Sequence, residues 1–198
     1  MSFQDLLFLA SVLLELSLFV WMAVSAVRRQ WNSVRRTARF AGLYLAGYAT
    51  ILIAAALLMP RRFLGPGERH CFDDWCVAAV TAEPSKTPAG SNWIVTLEVS
   101  SDAKRVRQRA LDATAQLEDT SGRRYDASAA PLTPRTLSDQ LGPGDSFRVL
   151  LPFRLPANAR PAGVVVHHGA FPGMVIIGED QSFLHPPALA RVAIRNDK

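Results

Sequence analysis

Two apolar stretches decide the fold: LLFLASVLLELSLFVWMAVSAV at residues 6–27 and FAGLYLAGYATILIAAALLM at residues 40–59. As helices rising about 1.5 Å per residue, both are long enough to cross a hydrocarbon core of roughly 30 Å. Neither stretch contains Lys or Arg, and Glu15 is the only formal charge in either. A helix on the surface of a soluble protein has a polar face, so these stretches predict a pair of transmembrane helices.

The segment between the two stretches, residues 28–39, carries five arginines: Arg28, Arg29, Arg35, Arg36 and Arg39. Cationic loops stay on the cytoplasmic side, which predicts a hairpin in the inner (plasma) membrane, with residues 28–39 as a cytoplasmic loop and both termini extracytoplasmic. Arg61 and Arg62, after the second stretch, argue mildly for the opposite orientation. The alternative for residues 6–27 is a cleavable signal peptide, but the basic n-region of such a peptide is missing.

Small residues predict how the second helix packs. Gly42, Ala46, Thr50 and Ala54 recur at every fourth residue and form a ridge that lets another helix approach closely. Counted from the arginine segment, Glu15 and Thr50 fall at about the same depth, so we expect a hydrogen bond between a protonated Glu15 and the Thr50 hydroxyl. A proton-relay role for Glu15, or a contact to another membrane subunit, are the functional alternatives.

Cys71 and Cys76 are the two cysteines of the chain. An extracytoplasmic location is oxidising, which predicts a disulfide that closes a small loop and contributes about 2 kcal/mol. Metal ligation together with His70, Asp73 and Asp74 is one alternative, although structural zinc sites usually have a second ligand pair downstream. A redox-active pair is the other, although thioredoxin-type pairs have a two-residue spacing.

The chain after the hairpin predicts a linker at residues 61–70 and one β-domain at residues 71–198. Alternating apolar residues and turn signals at Asp119–Gly122 and Leu141–Asp145 define the strands. Pro152 predicts that its strand lies at a sheet edge or contains a bulge. About eight short strands with this spacing are typical of a β-sandwich. The predicted strands cover residues 77–83, 93–99, 108–118, 123–127, 147–155, 163–168, 174–177 and 188–194.

The run Leu141-Gly-Pro-Gly-Asp-Ser-Phe147, followed by Phe153-Arg-Leu-Pro156, resembles the late strands of bacterial extracytoplasmic immunoglobulin-like domains. The resemblance covers residues 140–198. It implies an immunoglobulin-like sandwich. Together with the two apolar stretches, this predicts a membrane-anchored α+β protein, in which a two-helix transmembrane hairpin precedes an all-β immunoglobulin-like sandwich. It also implies a binding or scaffolding module.

A polar loop, GEDQSFLHPP at residues 178–187, is a candidate contact surface because exposed loops carry binding. The alternative is an ordered connection that places Phe183 and Leu184 in the core. The side chains that would form the contact are Glu179, Asp180, Gln181, Phe183 and His185.

The histidines do not predict a metal site. His167 and His168 are adjacent on a predicted strand, so their side chains point to opposite faces and cannot easily chelate one metal. A pair formed by one of them with His185 is the alternative, and His70 lies beside the first cysteine.

The sequence contains no G-x-S-x-G, no H-E-x-x-H and no phosphate-binding glycine loop. We therefore expect no enzymatic activity and no cofactor. The leading hypothesis is a non-enzymatic integral membrane protein that presents its outer domain for protein contact or scaffolding in the cell envelope. Its expected partners are membrane lipid and either another protein or a second copy of itself, but not nucleic acid.

The alternative function is a metal- or redox-linked, electron-transfer accessory role that uses Cys71, Cys76 and the histidines. Cytochrome oxidase subunit II has a similar gross plan, a hairpin followed by a sandwich, and its copper centre uses cysteines, histidines and a methionine late in the domain. In this chain both cysteines precede the first predicted strand, and only Met174 lies late.

Overall fold

A computed structural model describes residues 3–85, 91–169, 173–178, 180 and 182–195. The chain forms two compact units, one of Met1–Pro60 with Phe171–Pro186 and one of Arg61–Ala170 with Pro187–Lys198. The predicted boundary after residue 60 is therefore present. The prediction that all of residues 71–198 belong to the β-domain is wrong, because the described residues 173–178, 180 and 182–186 group with the helices.

The helical unit contains α1 (Phe3–Val27) and α2 (Trp31–Leu58). Both helices are long and apolar enough to cross a membrane. The predicted loop at residues 28–39 is wrong, because only Arg28–Gln30 connect the helices. The stretch WNSVRRTARF has no glycine or proline, so α2 begins as soon as Arg29, at φ 58°, has reversed the chain. At its other end, α2 stops just before Pro60, as expected.

This short turn sets the register of the helices. The Tyr44 hydroxyl donates a hydrogen bond to Ser11 Oγ at 2.8 Å, which places these two residues side by side. Glu15 lies one turn from Ser11 toward the hairpin turn, whereas Thr50 lies six residues from Tyr44 in the opposite direction. The two side chains are thus separated along the axis by on the order of 15 Å, which is incompatible with the predicted hydrogen bond.

Each of these two side chains has a different environment from the one predicted. Thr50 Oγ1 donates to the carbonyl of Ala46 in its own helix, at 2.8 Å. Glu15 Oε1 is buried and has no hydrogen-bond partner among the described residues. Glu15 and Thr50 would lie at the same depth only if residues 28–39 formed a loop of twelve residues between the helices. In the structure, α2 already begins at Trp31.

The ridge of small residues does not lie on the buried face of α2. Gly42, Ala46 and Thr50 are exposed and Ala54 is partly exposed. The residues that α2 buries are Ala41, Leu52 and Ala56. The ridge therefore does not form the contact between α1 and α2.

The described residues 173–178, 180 and 182–186 also belong to the helical unit. Gly173–Val175 form one turn of 3-10 helix, so the strand predicted at residues 174–177 is wrong. The Tyr48 hydroxyl donates to the Val175 carbonyl at 2.7 Å, and His185 Nδ1 lies 3.2 Å from the Ala56 carbonyl oxygen. These two contacts hold the segment against the second half of α2.

The second unit is a two-sheet sandwich, as predicted. The strands are β1 (Phe63–Leu64), β2 (Arg69–Phe72), β3 (Trp75–Ser85), β4 (Ser91–Ser101), β5 (Thr114–Asp119), β6 (Arg124–Asp126), β7 (Ser146–Leu155), β8 (Pro161–His167), β9 (Leu189–Arg191) and β10 (Ala193–Ile194). One sheet has the order β1-β9-β8-β5-β6, and the other has the order β10-β3-β4-β7, with β2 also paired to β3.

The core lies between the sheets and comes from alternate residues of the long strands. In the antiparallel pair β4–β7, Val95 faces Leu151 and Leu97 faces Val149, and all four side chains are buried. Alternation with period two predicted this inner face correctly.

Pro152 lies on β7, which is an edge strand, as predicted. Residues 127–133 cover its outer edge, with hydrogen bonds from Ser128 N to the Pro152 carbonyl and from Leu132 N to the Leu150 carbonyl, both 2.8 Å. The edge is therefore not open to another strand.

Three boundaries differ from the prediction. The segment at residues 61–70 is part of the sandwich, because it contains β1 and the start of β2, and Leu64 is buried. The strand predicted from residue 108 begins at Thr114, after Asp112 has turned the chain with φ 54°. The last predicted strand is two strands, since the chain crosses from one sheet to the other at Val192.

Candidate functional site

The disulfide predicted from the sequence is present between Cys71 and Cys76. The two residues face each other across the hairpin formed by β2 and β3, with Cα atoms 3.9 Å apart. Asp73, at φ 55°, makes the turn between the strands. Cys76 is fully buried and Cys71 is exposed, so the bond joins the hairpin's surface to the core.

Asp102 lies next to this disulfide. Its Oδ2 is 3.6 Å from Cys76 Sγ, but a disulfide sulfur has no proton to donate, so this contact is not a hydrogen bond. The Asp102 Oδ1 atom accepts a hydrogen bond from Arg69 at 2.7 Å. Cys71, Cys76 and Asp102 offer three ligand atoms within 4.8 Å, but the sulfurs become metal ligands only after reduction.

Two of the histidines join an aromatic cluster beside the hairpin. The His70 ring lies 4.4 Å from Phe72, and the His168 ring stacks on Phe72 at 5.6 Å and on Trp75 at 5.4 Å, all between centroids. Trp75 is buried, so the cluster packs the base of the hairpin.

His167 and His185 lie elsewhere. Burial lowers the pKa of His167, and the positive charge of Arg124 lowers it further. His167 is the last residue of β8, whereas His168 follows the strand and belongs to the aromatic cluster. His185 belongs to the helical unit.

The candidate contact loop is described only in part. Glu179 and Gln181 lie outside the described residues. Phe183 and Leu184 have 50% and 55% of their surface exposed, so the alternative that placed both in the core is wrong. The Phe183 amide donates to the Met174 carbonyl at 2.8 Å, which connects the loop to the preceding 3-10 turn.

A buried ion cluster around Glu118 was not predicted. Both oxygens of Glu118 accept hydrogen bonds from Arg61, at 2.6 and 2.8 Å, and Arg124 Nε adds a third at 3.1 Å. Only 5% of the Glu118 side chain is exposed. The hydrogen bonds from Arg61 lower the pKa of Glu118, and those from Arg124 lower it further, against the opposing effect of burial.

The neighbouring Asp119 organises the turn between β5 and β6. Its Oδ1 accepts from the Ser121 hydroxyl at 2.6 Å and from the amides of Ser121 and Arg123, while Oδ2 accepts from the Tyr125 hydroxyl at 2.9 Å. These bonds, the one from the Ser121 hydroxyl first, lower the pKa of Asp119 to about 2. Two adjacent acidic residues at the end of a predicted strand were the available signal for this network.

Two adjoining surface depressions among the described residues of the sandwich are candidate binding sites. One has a volume of about 360 Å³ and a polar lining of Arg109, Arg135, Ser138, Asp139 and Gln140. The other has a volume of about 300 Å³ and a mostly apolar lining from β5, from residues 126–138 and from Leu151 of β7. Ser138 lines both. They were not predictable from local sequence pattern, because Arg109 and residues 135–140 belong to loops that are far apart in the chain.

The fold defines a β-sandwich joined to a pair of apolar helices. No protein-family model matches the chain, and none of the curated proteins matches its sequence. Among solved structures, it is similar to the secreted protein MPT63 of Mycobacterium tuberculosis, at 15% identity over 56% of this chain and 92% of that one, with a TM-score of 0.44.

Two further solved structures are similar to this chain. An uncharacterised β-sandwich protein from Clostridium difficile has 12% identity over 56% of this chain and 88% of that one, with a TM-score of 0.37. The yjhA protein from Bacillus subtilis has 13% identity over 53% of this chain and 79% of that one, with a TM-score of 0.34.

Proposed function

We propose that this protein is a non-enzymatic integral membrane protein that presents its sandwich on the outer side of the inner membrane for protein contact or scaffolding. The observation that carries the proposal is the exposed apolar surface of both helices. Leu16, Phe19 and Leu43 have 57%, 66% and 75% of their surface exposed, and many neighbours on the helices are similar.

Such a surface needs an apolar environment. Soluble proteins rarely expose apolar patches of more than a few hundred Å², whereas a lipid bilayer solvates them. A helix from the core of a soluble protein would be buried, and the most apolar part of α1 is not. A signal peptide accounts for α1 alone and leaves α2 unexplained.

The arginines support the orientation. Arg28 and Arg29 lie in the hairpin turn, and Arg35, Arg36 and Arg39 lie in the first turns of α2. Cationic residues near a hairpin turn favour the cytoplasmic side, which directs the sandwich outward. The Cys71–Cys76 disulfide agrees, because disulfides persist in oxidising compartments.

The anchor is tested by extraction and by reporter fusions. We expect the full chain to stay with membranes in alkaline carbonate, and a reporter fused after Lys198 to be active outside the cytosol. Intact mass should show that residues 6–27 are retained. Release by carbonate, a reporter active only in the cytosol, or loss of residues 6–27 would each contradict the proposal.

The contact role is tested by assembly. We expect the full chain in mild detergent to self-associate in light scattering, or to retain a partner that also crosslinks to it in intact cells. Because the outer edge of β7 is covered, this contact should not use strand addition at that edge. A strictly monomeric chain with no crosslinked partner would refute the role.

The second candidate function is the metal- or redox-linked role. The observation that favours it is the Asp102 carboxylate, 3.6 Å from Cys76 Sγ. Thiol titration and metal analysis of the purified full chain distinguish the two functions. Two blocked thiols without stoichiometric metal favour the contact role, and titratable thiols with one bound metal favour the alternative.

A further inference from the structure

We propose that the sandwich binds a single anionic amphiphile, whose head group lies between Arg109 and Arg135 and whose apolar chain lies in the adjoining depression. This inference concerns the sandwich alone. It does not depend on the proposed contact role or on the membrane orientation.

The polar depression has two guanidinium groups held in place by their neighbours. Arg109 Nε donates to the Ser138 carbonyl at 3.0 Å, and the Arg135 guanidinium lies 4.9 Å from the centroid of the Phe147 ring. Among the described residues, neither of them forms an ion pair with a carboxylate. Guanidinium groups that are ordered but not neutralised match the geometry of a phosphate or carboxylate.

One carboxylate shares the depression without cancelling its charge. Asp139 Oδ1 accepts a hydrogen bond from the Thr136 hydroxyl at 2.7 Å, which engages this carboxylate within its own loop. Two guanidiniums against one carboxylate leave the depression positive. The exposed cations of the neighbouring loop, which are Lys104, Arg105 and Arg107, add to this potential and have no described ion pair.

The second depression explains why the ligand is an amphiphile rather than a free anion. Its lining is dominated by small apolar residues and one leucine from each of two segments: Ala113, Ala115, Ala127, Ala129, Pro131, Leu137 and Leu151. Its volume of about 300 Å³ is at the lower end for ligand pockets, which suits one short or partly inserted chain. Since Ser138 lines both depressions, one molecule can occupy them together.

The test uses the full chain in a non-ionic detergent, with binding measured by native mass spectrometry. The probes are decyl phosphate, inorganic phosphate and decanol. We expect one decyl phosphate per chain, with inorganic phosphate and decanol each binding at least about tenfold more weakly, because each engages half of the site. Equal binding of inorganic phosphate would show an anion site only, and equal binding of decanol an apolar site only; either would overturn the proposal.

Variants locate the site. Arg109→Gln with Arg135→Gln should weaken decyl phosphate binding by about tenfold or more, since both charge-assisted contacts are lost. The matched control is Arg105→Gln with Arg107→Gln, which removes the same charge from the neighbouring loop and should change binding by less than about threefold. Equal losses in the two pairs would indicate diffuse attraction and refute the site.

A third variant tests the apolar half. Ala129→Trp should fill the apolar depression and weaken decyl phosphate binding while leaving that of inorganic phosphate unchanged. Ala129 is exposed, so the fold should tolerate the change, and an unaltered thermal midpoint verifies this. Unchanged decyl phosphate binding in a folded Ala129→Trp protein would exclude the chain from this depression.

Discussion

Replacing Glu118 with glutamine should destabilise the sandwich by about 3 kcal/mol at neutral pH. The substitution keeps the size of the side chain but removes the charge that holds Arg61 and Arg124 together. Breaking a buried ion pair costs about 3–5 kcal/mol. We expect the lower end, because 19% of the Arg61 side chain and 34% of the Arg124 side chain are exposed, so water can solvate both after the change.

The loss should depend on pH in a defined direction. The pKa of Glu118 is below its ordinary value of 4.5 in the folded protein. Its ionised form therefore contributes stability that is fully present above pH 4.5 and is lost as the pH falls through the lowered pKa. The difference in unfolding free energy between the native protein and Glu118→Gln should shrink with acidification over that window.

The assay is denaturant unfolding of the full chain in detergent, followed by tryptophan fluorescence. All proteins compared also carry Trp21→Phe and Trp31→Phe. The fluorescence then comes from Trp75 and Trp93, which both lie in the sandwich. A loss below about 1 kcal/mol at pH 7, or a loss that does not vary between pH 7 and pH 3, would refute the reasoning.

An exposed pair provides the matched control. Glu98 accepts from Arg148 at 3.1 Å, but 40% and 64% of these side chains are exposed. Glu98→Gln removes the same charge from a solvated pair and should cost no more than about 1 kcal/mol. An equal loss at both positions would show that burial does not set the strength of the Glu118 cluster.

Three further predictions concern the same domain. Asp119→Asn should lower the denaturation midpoint at neutral pH, and the difference from the native protein should disappear as the pH falls from 3.8 toward about 2. Parallel melts of the two proteins at neutral pH and at pH about 2 would verify this. Replacing Cys71 and Cys76 together by serine should cost about 2 kcal/mol by loop entropy, and an unfolding midpoint that is unaffected by the double change would contradict this. Gly163→Ala should cost on the order of 2 kcal/mol, since an added Cβ would lie 2.6 Å from the Ala190 carbonyl oxygen, and native-like denaturation of this variant would show that the strands can separate there.

Features that depend on local pattern were predictable from the sequence. Val95, Leu97 and Val99 recur at every second residue, and the disulfide is expected from two cysteines in a compartment that is predicted to be oxidising. Pro152 identified an edge strand because a residue without a backbone N–H cannot pair on both sides. Each of these inferences uses only the spacing of apolar residues, the expected compartment or the missing backbone N–H of a proline.

Features that depend on distant partners were not predictable. Arg61 lies in the predicted linker, and its ion pair could not be predicted because folding alone places Glu118 of β5 next to it. Arg109 and Arg135 line one depression because two separate loops converge there. The predicted depth of Glu15 relative to Thr50 is wrong because α2 begins at Trp31. This early start shifts the register between the two helices along their whole length.

The crossing of the chain at Val192 has a mechanical consequence. It lets β9 pair in parallel with β1 in one sheet and lets β10 pair in parallel with β3 in the other. A pull that separates the start of the sandwich from its carboxyl end would load both short ladders in shear, so that their hydrogen bonds must rupture together rather than unzip one by one.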